Sequence, residues 1–243
     1  MKIIAVIPAR YDSSRFPGKP LVDIFGKPMI WWVYQQVKKV KSFTDVFVAI
    51  DDNRVKEVCE NLNIKYVITL DNHPEHISRI HEVSMKVEAD LYVCVNGDEP
   101  LIDANAIESV IPLGQVTSFY FGGAMRKLSD PAEMIDPANI KVVCSKGGKC
   151  IYMSRSPVPF PKGTLLFAYN KYVGIECFSK EALDFFVSTS MGEIERIEDI
   201  DHLRFLENGK ELNFSYVASE SISVDTPKDL EKVKNLMKQE GIV

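Results

Sequence analysis

The chain opens with MKIIAVIPARYDSSRFPGKP (residues 1–20), in which an apolar run over residues 3–7 leads directly into a loop with three cationic side chains. We predict a buried strand that ends in this loop. Ligands of open α/β sheets bind at the carboxyl ends of the strands, so Arg10, Arg15 and Lys19 favour a polyanion such as a nucleoside triphosphate. A solvated basic loop is the alternative, but the prolines and glycine of the loop indicate a specified geometry.

Short β-rich runs alternate with helical patterns in the first half of the chain, as is typical of βαβ units. The predicted strands cover residues 3–7, 46–50, 66–69 and 91–95. The predicted helices between them cover residues 29–40, 53–62 and 78–87. Continuous apolar strands flanked by helices predict a parallel sheet that is covered on both faces.

The middle of the chain, residues 117–178, is rich in strand patterns and poor in helical ones. The strands predicted there cover residues 117–121, 140–145, 150–154 and 172–178, with a hairpin turn at 146–149. Two helices (180–187, 193–207), a strand (213–218) and a last helix (227–239) follow. We predict an α/β fold, Rossmann-like and three-layered, with a mixed, mainly parallel sheet. The whole chain, 1–243, forms one domain, and its middle segment is an antiparallel insertion that serves as a lid or dimer surface.

Composition excludes several classes of protein. The chain of 243 residues carries a net charge of −5, which argues against a general nucleic-acid binder. No apolar stretch approaches the roughly 20 residues that span a bilayer, and Met1-Lys2 leads straight into a strand, so we expect no signal peptide, no membrane insertion and a cytoplasmic protein. The five cysteines form no CxxC pair or Cys/His cluster, so they indicate no zinc site. The four histidines are interpreted as surface or pocket-wall residues.

Two further strand ends carry carboxylates. Asp98 and Glu99 follow the strand predicted at 91–95, and Asp225 follows a short predicted strand that starts at Ile222. Mg²⁺ commonly uses one or two carboxylates together with substrate phosphates, so Asp98 and Asp225 are candidate metal ligands. Taken singly, each has a simpler interpretation, a turn with surface acids for Asp98 and a helix start for Asp225.

Several motifs resemble, in order, those of the CMP-Kdo synthetases, the 3-deoxy-manno-octulosonate (Kdo) cytidylyltransferases. They are Pro8-Ala9-Arg10, the segments 14–21 and 26–30, Gly97-Asp98-Glu99-Pro100, Asn139-Ile140-Lys141, Ser154-Arg155 and the segment 224–231. The resemblance covers nearly the whole chain. It implies an enzyme that joins CTP to an acidic sugar with release of pyrophosphate, uses Mg²⁺, and forms a homodimer through the strand-rich middle segment.

The resemblance also implies roles for individual residues. The catalytic groups would be Arg10, Arg15, Lys19, Asp98 and Asp225, of which Asp98 and Asp225 hold the metal. The nucleotide would contact Pro8, Ala9, Arg10, Ser14, Arg15, Lys19, Arg79, Asn96, Gly97 and Asp98. The acceptor would contact Glu99, Lys141, Arg155, Tyr172, Glu176, Asp201, His202 and Arg204.

The chain departs from the family pattern where the family recognises nucleoside and acceptor. Of the usual Ser-Gly-Thr-Asp/Glu-Arg segment, here residues 75–79, only Arg79 remains, and Asn96 replaces a glutamine. Tyr172 and Glu176 replace a histidine and a tyrosine. The added carboxylate would repel an acidic acceptor unless a cation pairs with it. Candidate partners are Lys171, Arg155, Arg196 and Arg204; alternatively the carboxylate meets an amino group of the acceptor.

Three alternative functions are therefore compatible with the sequence. The first is cytidylyl transfer to Kdo or a Kdo-like acid. The second is a nucleotidyltransferase of the same fold that uses another nucleotide, or a phosphorylated, phosphonate or amino-modified acceptor. The third is a non-catalytic nucleotide-binding module. The presence of both candidate metal carboxylates and all three loop cations favours an enzyme.

Overall fold

A twisted central sheet organises the molecule. The computed structural model describes residues 1–12, 16–164, 168–218 and 221–243. In these residues the strands are β1 Ile3–Ala9, β2 Asp23–Ile24, β3 Lys27–Pro28, β4 Asp45–Ile50, β5 Tyr66–Ile68, β6 Leu91–Val95, β7 Phe121–Lys127, β8 Lys141–Cys144, β9 Cys150–Ser154, β10 Asn170–Ser179 and β11 Asn213–Tyr216. The α-helices are α1 Met29–Val37, α2 Asn53–Asn61, α3 His76–Lys86, α4 Ala104–Glu108, α5 Pro131–Ile135, α6 Lys180–Ser188, α7 Glu193–Glu198, α8 Leu203–Glu207 and α9 Pro227–Gln239.

The sheet has the order β11-β7-β10-β6-β1-β4-β5, with the β8/β9 hairpin attached through β10. Strands β6, β1, β4 and β5 are parallel to one another, β10 is antiparallel to both of its neighbours, and β11 is parallel to β7. The predicted mixed, mainly parallel sheet is therefore confirmed. Because β1 and β6 are adjacent and parallel, their carboxyl ends lie side by side.

Helices cover both faces of the sheet, as the apolar strands predict. Alternate residues of β1 point to opposite faces: Ile3, Ala5 and Ile7 join one buried cluster, which includes α1, α2 and α4. Ile4 and Val6 join the other, which includes α3, α6 and α8. This is the predicted three-layer arrangement. Among the described helices, none is long and apolar enough to cross a membrane.

The strand-rich middle segment is part of the sheet rather than a separate layer on it. Strands β7 and β10 lie between β11 and β6, and only the β8/β9 hairpin extends from them. The predicted strand at 117–121 is wrong, because β7 begins at Phe121. Strand β7 is not predicted from β-propensity because it contains Gly122 and Gly123, and glycine is depleted in strands. Both are needed, since a Cβ would lie 2.4 Å from Val110 O at Gly122 and 2.5 Å from the Phe214 ring at Gly123.

Two predictions in the last third of the chain are also wrong. The helix predicted at 193–207 is broken into α7 and α8, because Asp199 adopts a left-handed conformation with φ of 52°. The strand predicted to begin at Ile222 does not form; the segment before α9 is irregular. Helix α9 does begin at Pro227 as predicted, with the Thr226 hydroxyl and the Asp229 carboxylate forming a capping box.

Candidate active site

A cavity of about 260 Å³ opens at the carboxyl ends of β1 and β6. Its lining combines cationic, acidic and backbone groups from four parts of the chain that are distant in sequence. The lining residues are Pro8, Ala9, Arg10, Asp12, Lys19, Pro20, His76, Asn96, Gly97, Asp98 and Asp225. The sequence-predicted nucleotide site and metal site thus occupy one cavity. Ser14 and Arg15, which were predicted for the same site, lie outside the described residues.

The floor of this cavity depends on a close approach between two backbone segments. A Cβ at Gly97 would lie 2.6 Å from the backbone oxygen of Pro8, a distance that no side chain tolerates. Glycine therefore lets the chain leaving β6 pass directly against the chain leaving β1. This contact brings Asp98 alongside the basic loop.

Lys19 joins the three sequence motifs of the site. Its Nζ lies 2.7 Å from Asp98 Oδ2 and 3.2 Å from Asp225 Oδ1. Gly18, with φ of 71°, begins the short 3₁₀ helix Lys19–Leu21, and its N–H donates to Tyr11 O. The loop that carries Lys19 is thus closed by this backbone hydrogen bond, which positions the Lys19 ammonium group.

A backbone hydrogen bond places the second carboxylate. Val224 N donates to Asp98 O at 2.9 Å, and the Val224 side chain is fully buried among α9 residues. This bond fixes Asp225 next to Asp98 without a strand. The prediction that these two acids meet at the sheet edge is confirmed, although the element predicted to carry Asp225 is absent.

Asp98 also presents an oxygen that the described residues do not satisfy. Its Oδ2 accepts from Lys19, whereas its Oδ1 is buried and has no hydrogen-bond partner among the described residues. A buried carboxylate oxygen without a partner is costly. A bound cation would satisfy this oxygen, and two adjacent carboxylates are the hard oxygen ligands that Mg²⁺ prefers.

Arg79 lies beneath the cavity rather than in it. Its side chain is 2% exposed, donates to Asp51 Oδ2 at 3.0 Å and to Thr69 Oγ1 at 2.6 Å, and so joins α3 to the ends of β4 and β5. A small adjoining cavity of about 70 Å³ includes Arg79 and Arg10 in its lining. Arg79 therefore supports the predicted nucleotide site chiefly through Asp51.

The residues that depart from the family pattern form one connected cluster. Glu176 is 1% exposed and accepts from His76 Nε2 at 2.7 Å, from Tyr172 Oη at 2.5 Å and from His202 Nε2. His76 Nδ1 lies 3.4 Å from Asp201 Oδ2. The expectation that Lys171, Arg155, Arg196 or Arg204 pairs with Glu176 is therefore wrong: histidines supply the partners. The interpretation of His202 as a surface or pocket-wall residue is also wrong, because it is 3% exposed.

The charges of this cluster stabilise one another. Burial alone would raise the pKa of Glu176, but the two histidines lower it more, so the net pKa lies far below the usual range. Burial lowers the pKa of His76, while Glu176 and Asp201 together raise it to about 10. His76 is consequently a cation at neutral pH, and it lies in the wall of the cavity.

Other predicted acceptor contacts are engaged within the protein. The Arg204 guanidinium donates to both carboxylate oxygens of Glu195 and to the backbone of Phe186. Arg155 donates to the backbone oxygens of Glu198, Asp199 and Pro137. Lys141 is fully buried and donates to the backbone oxygens of Asp136 and Asn139.

These three cations therefore brace the β8/β9 region and α7, and their predicted role as acceptor contacts stays a prediction. Glu99 is likewise buried, at 7% exposure, and it is absent from the cavity lining. Its burial and the neighbouring Asp98 charge raise the pKa of Glu99 to about 7.

Sequence reasoning missed the roles of His76 and Asp51. His76 was interpreted only as a surface or pocket-wall residue, yet it joins the cavity to the buried Glu176. Asp51 immediately follows β4 and pairs with Arg79, a link that only the fold reveals. A signal did exist for His76: it and Glu176 both stand where the sequence leaves the family pattern.

Comparison with known proteins places the chain among enzymes of one kind. The family model that matches residues 4–212 is described as cytidylyltransferase. The 3-deoxy-manno-octulosonate cytidylyltransferase of Escherichia coli is 37% identical over 239 residues, 98% of this chain and 97% of that protein. The 8-amino-3,8-dideoxy-manno-octulosonate cytidylyltransferase of Shewanella sp. (strain W3-18-1) is 37% identical over 96% of this chain and 97% of that protein.

A solved structure agrees with these sequence relatives. It is a CMP:2-keto-3-deoxy-manno-octonic acid synthetase complexed with CTP, and it superposes with a TM-score of 0.92 at 36% identity. The match covers 99% of this chain and 100% of that one. The fold is thus that of a solved synthetase with CTP bound.

Proposed function

The chain belongs to the cytidylyltransferase family, and on that premise we propose that it transfers CMP from CTP to Kdo or a closely related sugar acid, with release of pyrophosphate. One observation carries the proposal: Lys19, Asp98 and Asp225 meet in a single cavity beside Arg10 at the carboxyl ends of β1 and β6. Cations and paired carboxylates at that edge suit a metal-bound triphosphate.

The reaction asks the protein mainly for positioning and charge neutralisation. The acceptor hydroxyl attacks the α-phosphorus of CTP, a new P–O bond forms, and the bond to the departing pyrophosphate breaks. Arg10 and Lys19 bind the phosphate oxygens and offset the charge that develops on the leaving group. Gly97 lets the chain that leaves β6 pass directly against Pro8, which keeps Asp98 beside the basic loop. Asn96, in the cavity wall, can orient the substrate by hydrogen bonds.

We also propose that Asp98 and Asp225 hold Mg²⁺. The buried, unpartnered Asp98 Oδ1 supports this assignment, as does the position of both carboxylates around a single cation, Lys19. Bound Mg²⁺ would supply Lewis-acid charge neutralisation at the phosphates. Lys19 then becomes free to contact the triphosphate.

The acceptor is the open part of the proposal. Relatives named for Kdo and for its 8-amino derivative are equally similar to this chain, at 37% identity. Glu176 was one candidate for an amino group of the acceptor, but two histidines and Tyr172 already occupy it. The cationic His76 in the cavity wall instead suits the carboxylate that both sugar acids carry.

A panel assay tests this function. The purified protein is incubated with Mg²⁺ and each of the four NTPs, with Kdo, with 8-amino-Kdo, or with phosphorylated and phosphonate acceptors, and products are identified by mass spectrometry. We expect a CMP-sugar and pyrophosphate from CTP with a sugar acid. Strong preference for UTP or ATP, or a product only with a phosphorylated acceptor, would replace this proposal by another nucleotidyl transfer. Absence of any nucleotide product would favour a non-catalytic binding module.

We further propose that the protein is a cytoplasmic homodimer that associates through the strand-rich middle segment. Three large apolar side chains of that segment are exposed, Ile135 on α5 at 73%, Ile151 on β9 at 62% and Phe160 at 82%. Exposed apolar surface of this kind suits a second copy of the chain. Light scattering at micromolar concentration tests the proposal, and a stable monomer would contradict it.

A further inference from the structure

The fold brings two histidines and one carboxylate together next to the nucleotide cavity. His76 begins α3, Glu176 lies on β10, and His202 immediately precedes α8. One potential ligand atom from each lies within 4.8 Å of those from the other two. In the sequence these residues are spread over 127 positions, from 76 to 202 inclusive, so only the tertiary structure reveals the cluster.

The geometry agrees with a metal centre. Both imidazoles approach the same carboxylate through Nε2, one to each of its oxygens. A metal ion bound by both nitrogens and the carboxylate would replace the protons that now lie between nitrogen and oxygen. A buried carboxylate needs positive charge nearby, and a divalent cation supplies it as well as protonated imidazole does.

The surroundings resemble the outer shell of a metal centre. A metal-bound histidine usually donates its second ring N–H to a carboxylate, which fixes the ring orientation. Asp201 Oδ2 lies 3.4 Å from His76 Nδ1, in position to accept such a bond, whereas His202 Nδ1 is buried without a partner among the described residues. Tyr172 Oη lies 2.5 Å from Glu176 Oε1 and is a further oxygen atom next to the three potential ligands.

We propose that His76, Glu176 and His202 form a binding site for a divalent transition metal of the Zn²⁺ class, separate from the Mg²⁺ site. Two imidazoles and a carboxylate are a donor set suited to Zn²⁺ and its neighbours rather than to Mg²⁺. Three protein ligands leave a position for water or a substrate oxygen.

Access to this site comes from the nucleotide cavity. His76 is 30% exposed and belongs to the cavity lining, whereas Glu176 and His202 are buried behind it. A metal ion bound there would fix the His76 ring in the wall of the cavity. It would also replace protonated His76 as the positive charge beside the acceptor carboxylate.

Metal binding alone tests the proposal, without CTP or an acceptor. The full-length protein is treated with a chelator, exchanged into buffer with excess Mg²⁺, and titrated with Zn²⁺ by calorimetry. Bound metal is then counted by mass spectrometry after gel filtration. We expect one Zn²⁺ per chain, and Co²⁺ in its place should give visible ligand-field absorption. Because no turnover is measured, a failed acceptor assay leaves this result unaffected, and the converse also holds.

Variants locate the site. His76→Gln, at the partly exposed position, and His202→Gln should each weaken Zn²⁺ binding by about 100-fold or more, on the scale seen when support of a metal ligand is lost. His81→Gln is the matched control, because His81 lies on the same helix and pairs with Asp184 outside the cluster. Asp98→Asn should retain the Zn²⁺. No stoichiometric binding, or binding lost in Asp98→Asn and kept in His76→Gln, would overturn the proposal.

Discussion

Lys19 Nζ lies 2.7 Å from Asp98 Oδ2, although 79 positions separate the two residues in the chain. Lys19 belongs to the loop that follows β1, and Asp98 to the chain that leaves β6. Parallel pairing of β1 with β6 places both at one edge of the sheet. The ion pair means that the site is assembled before a substrate binds, so little ordering of the chain is needed on binding.

We expect Lys19 to stabilise mainly the complex in which the triphosphate of CTP is bound. We expect Lys19→Met to raise KM for CTP and to lower kcat/KM by about 10²-fold, because a charge-stabilising donor to the phosphates is lost. Steady-state pyrophosphate release measures both constants. Lys39→Met, at an exposed position past the C-terminal end of α1, is the control. Unchanged kinetics in Lys19→Met would show that Lys19 only neutralises the two acids.

The paired carboxylates predict a dependence on Mg²⁺ that single substitutions remove. Asp98→Asn and Asp225→Asn should each reduce turnover by about 10²-fold or more, because each loses a charged oxygen at the metal. Pyrophosphate release across a range of Mg²⁺ concentrations is the measurement. Asp23→Asn, at an exposed acid on β2, should behave as the unchanged chain. Full activity of Asp98→Asn, or activity that persists in chelator, would contradict the metal site.

Gly97 provides a test of the close contact at the cavity floor. Gly97→Ala would place a Cβ 2.6 Å from Pro8 O, which is backbone and cannot rotate away. Separation of the two segments should cost about 1–3 kcal/mol of stability and about 10²-fold in kcat/KM, the effect of misplacing groups by about 1 Å. Gly114→Ala is the control, because no described atom lies within 4 Å of its added Cβ. Equal behaviour of the two variants would show that the contact is unimportant.

The gathering of these site residues could be predicted because it follows from local patterns and one topological rule. An apolar run that ends in a basic loop, and another that ends in Gly97-Asp98, are visible in the sequence. If both strands are parallel and adjacent, their ends must meet. Asp225 was located for a different reason, the motif before α9, so its position was right even though its strand does not exist.

The Glu176 cluster could not be predicted, because long-range pairing creates it. The register of β10 sets Glu176 opposite Cys94 on β6 and Gly123 on β7, which takes its side chain out of the solvent. No local pattern states that register. The sequence analysis therefore chose partners for Glu176 among the cations near the predicted acceptor motifs. The histidines that neutralise it, His76 and His202, come instead from two elements that are distant in sequence.

Glu82 offers a test of pH-dependent stability away from the active site. Burial raises the pKa of Glu82, but hydrogen bonds from Lys86, the backbone N–H of Leu70 and His73 lower it by more. The net pKa falls from an ordinary 4.5 to about 2. An acid with a depressed pKa in the folded state stabilises the protein above its unfolded pKa. That contribution is lost as the pH falls through its folded pKa.

Glu82→Gln should therefore lower the free energy of unfolding at neutral pH by about 1.5–3 kcal/mol, the range for hydrogen bonds to a charged group. The difference from the unchanged chain should shrink as the pH falls from 4.5 towards about 2. Urea denaturation at a series of pH values measures it. Glu88→Gln, which lies past the end of α3, is a control for loss of one negative charge. A difference that stays constant down to the lowest pH would contradict this account.

Substitution of Arg79 can distinguish a structural role of this residue from a role in nucleotide binding. Its guanidinium is nearly fully buried against Asp51, whose side chain is 8% exposed. Arg79→Met would leave Asp51 as a buried charge without its partner, so we expect a loss of about 3–5 kcal/mol in stability. The double variant Arg79→Met/Asp51→Asn should recover part of that loss, because the amide oxygen can still accept from Tyr11 N while the charge is gone. Chemical denaturation of both variants, together with KM for CTP, provides the comparison. A raised KM with unchanged stability in Arg79→Met would instead mean that Arg79 contacts the nucleotide directly.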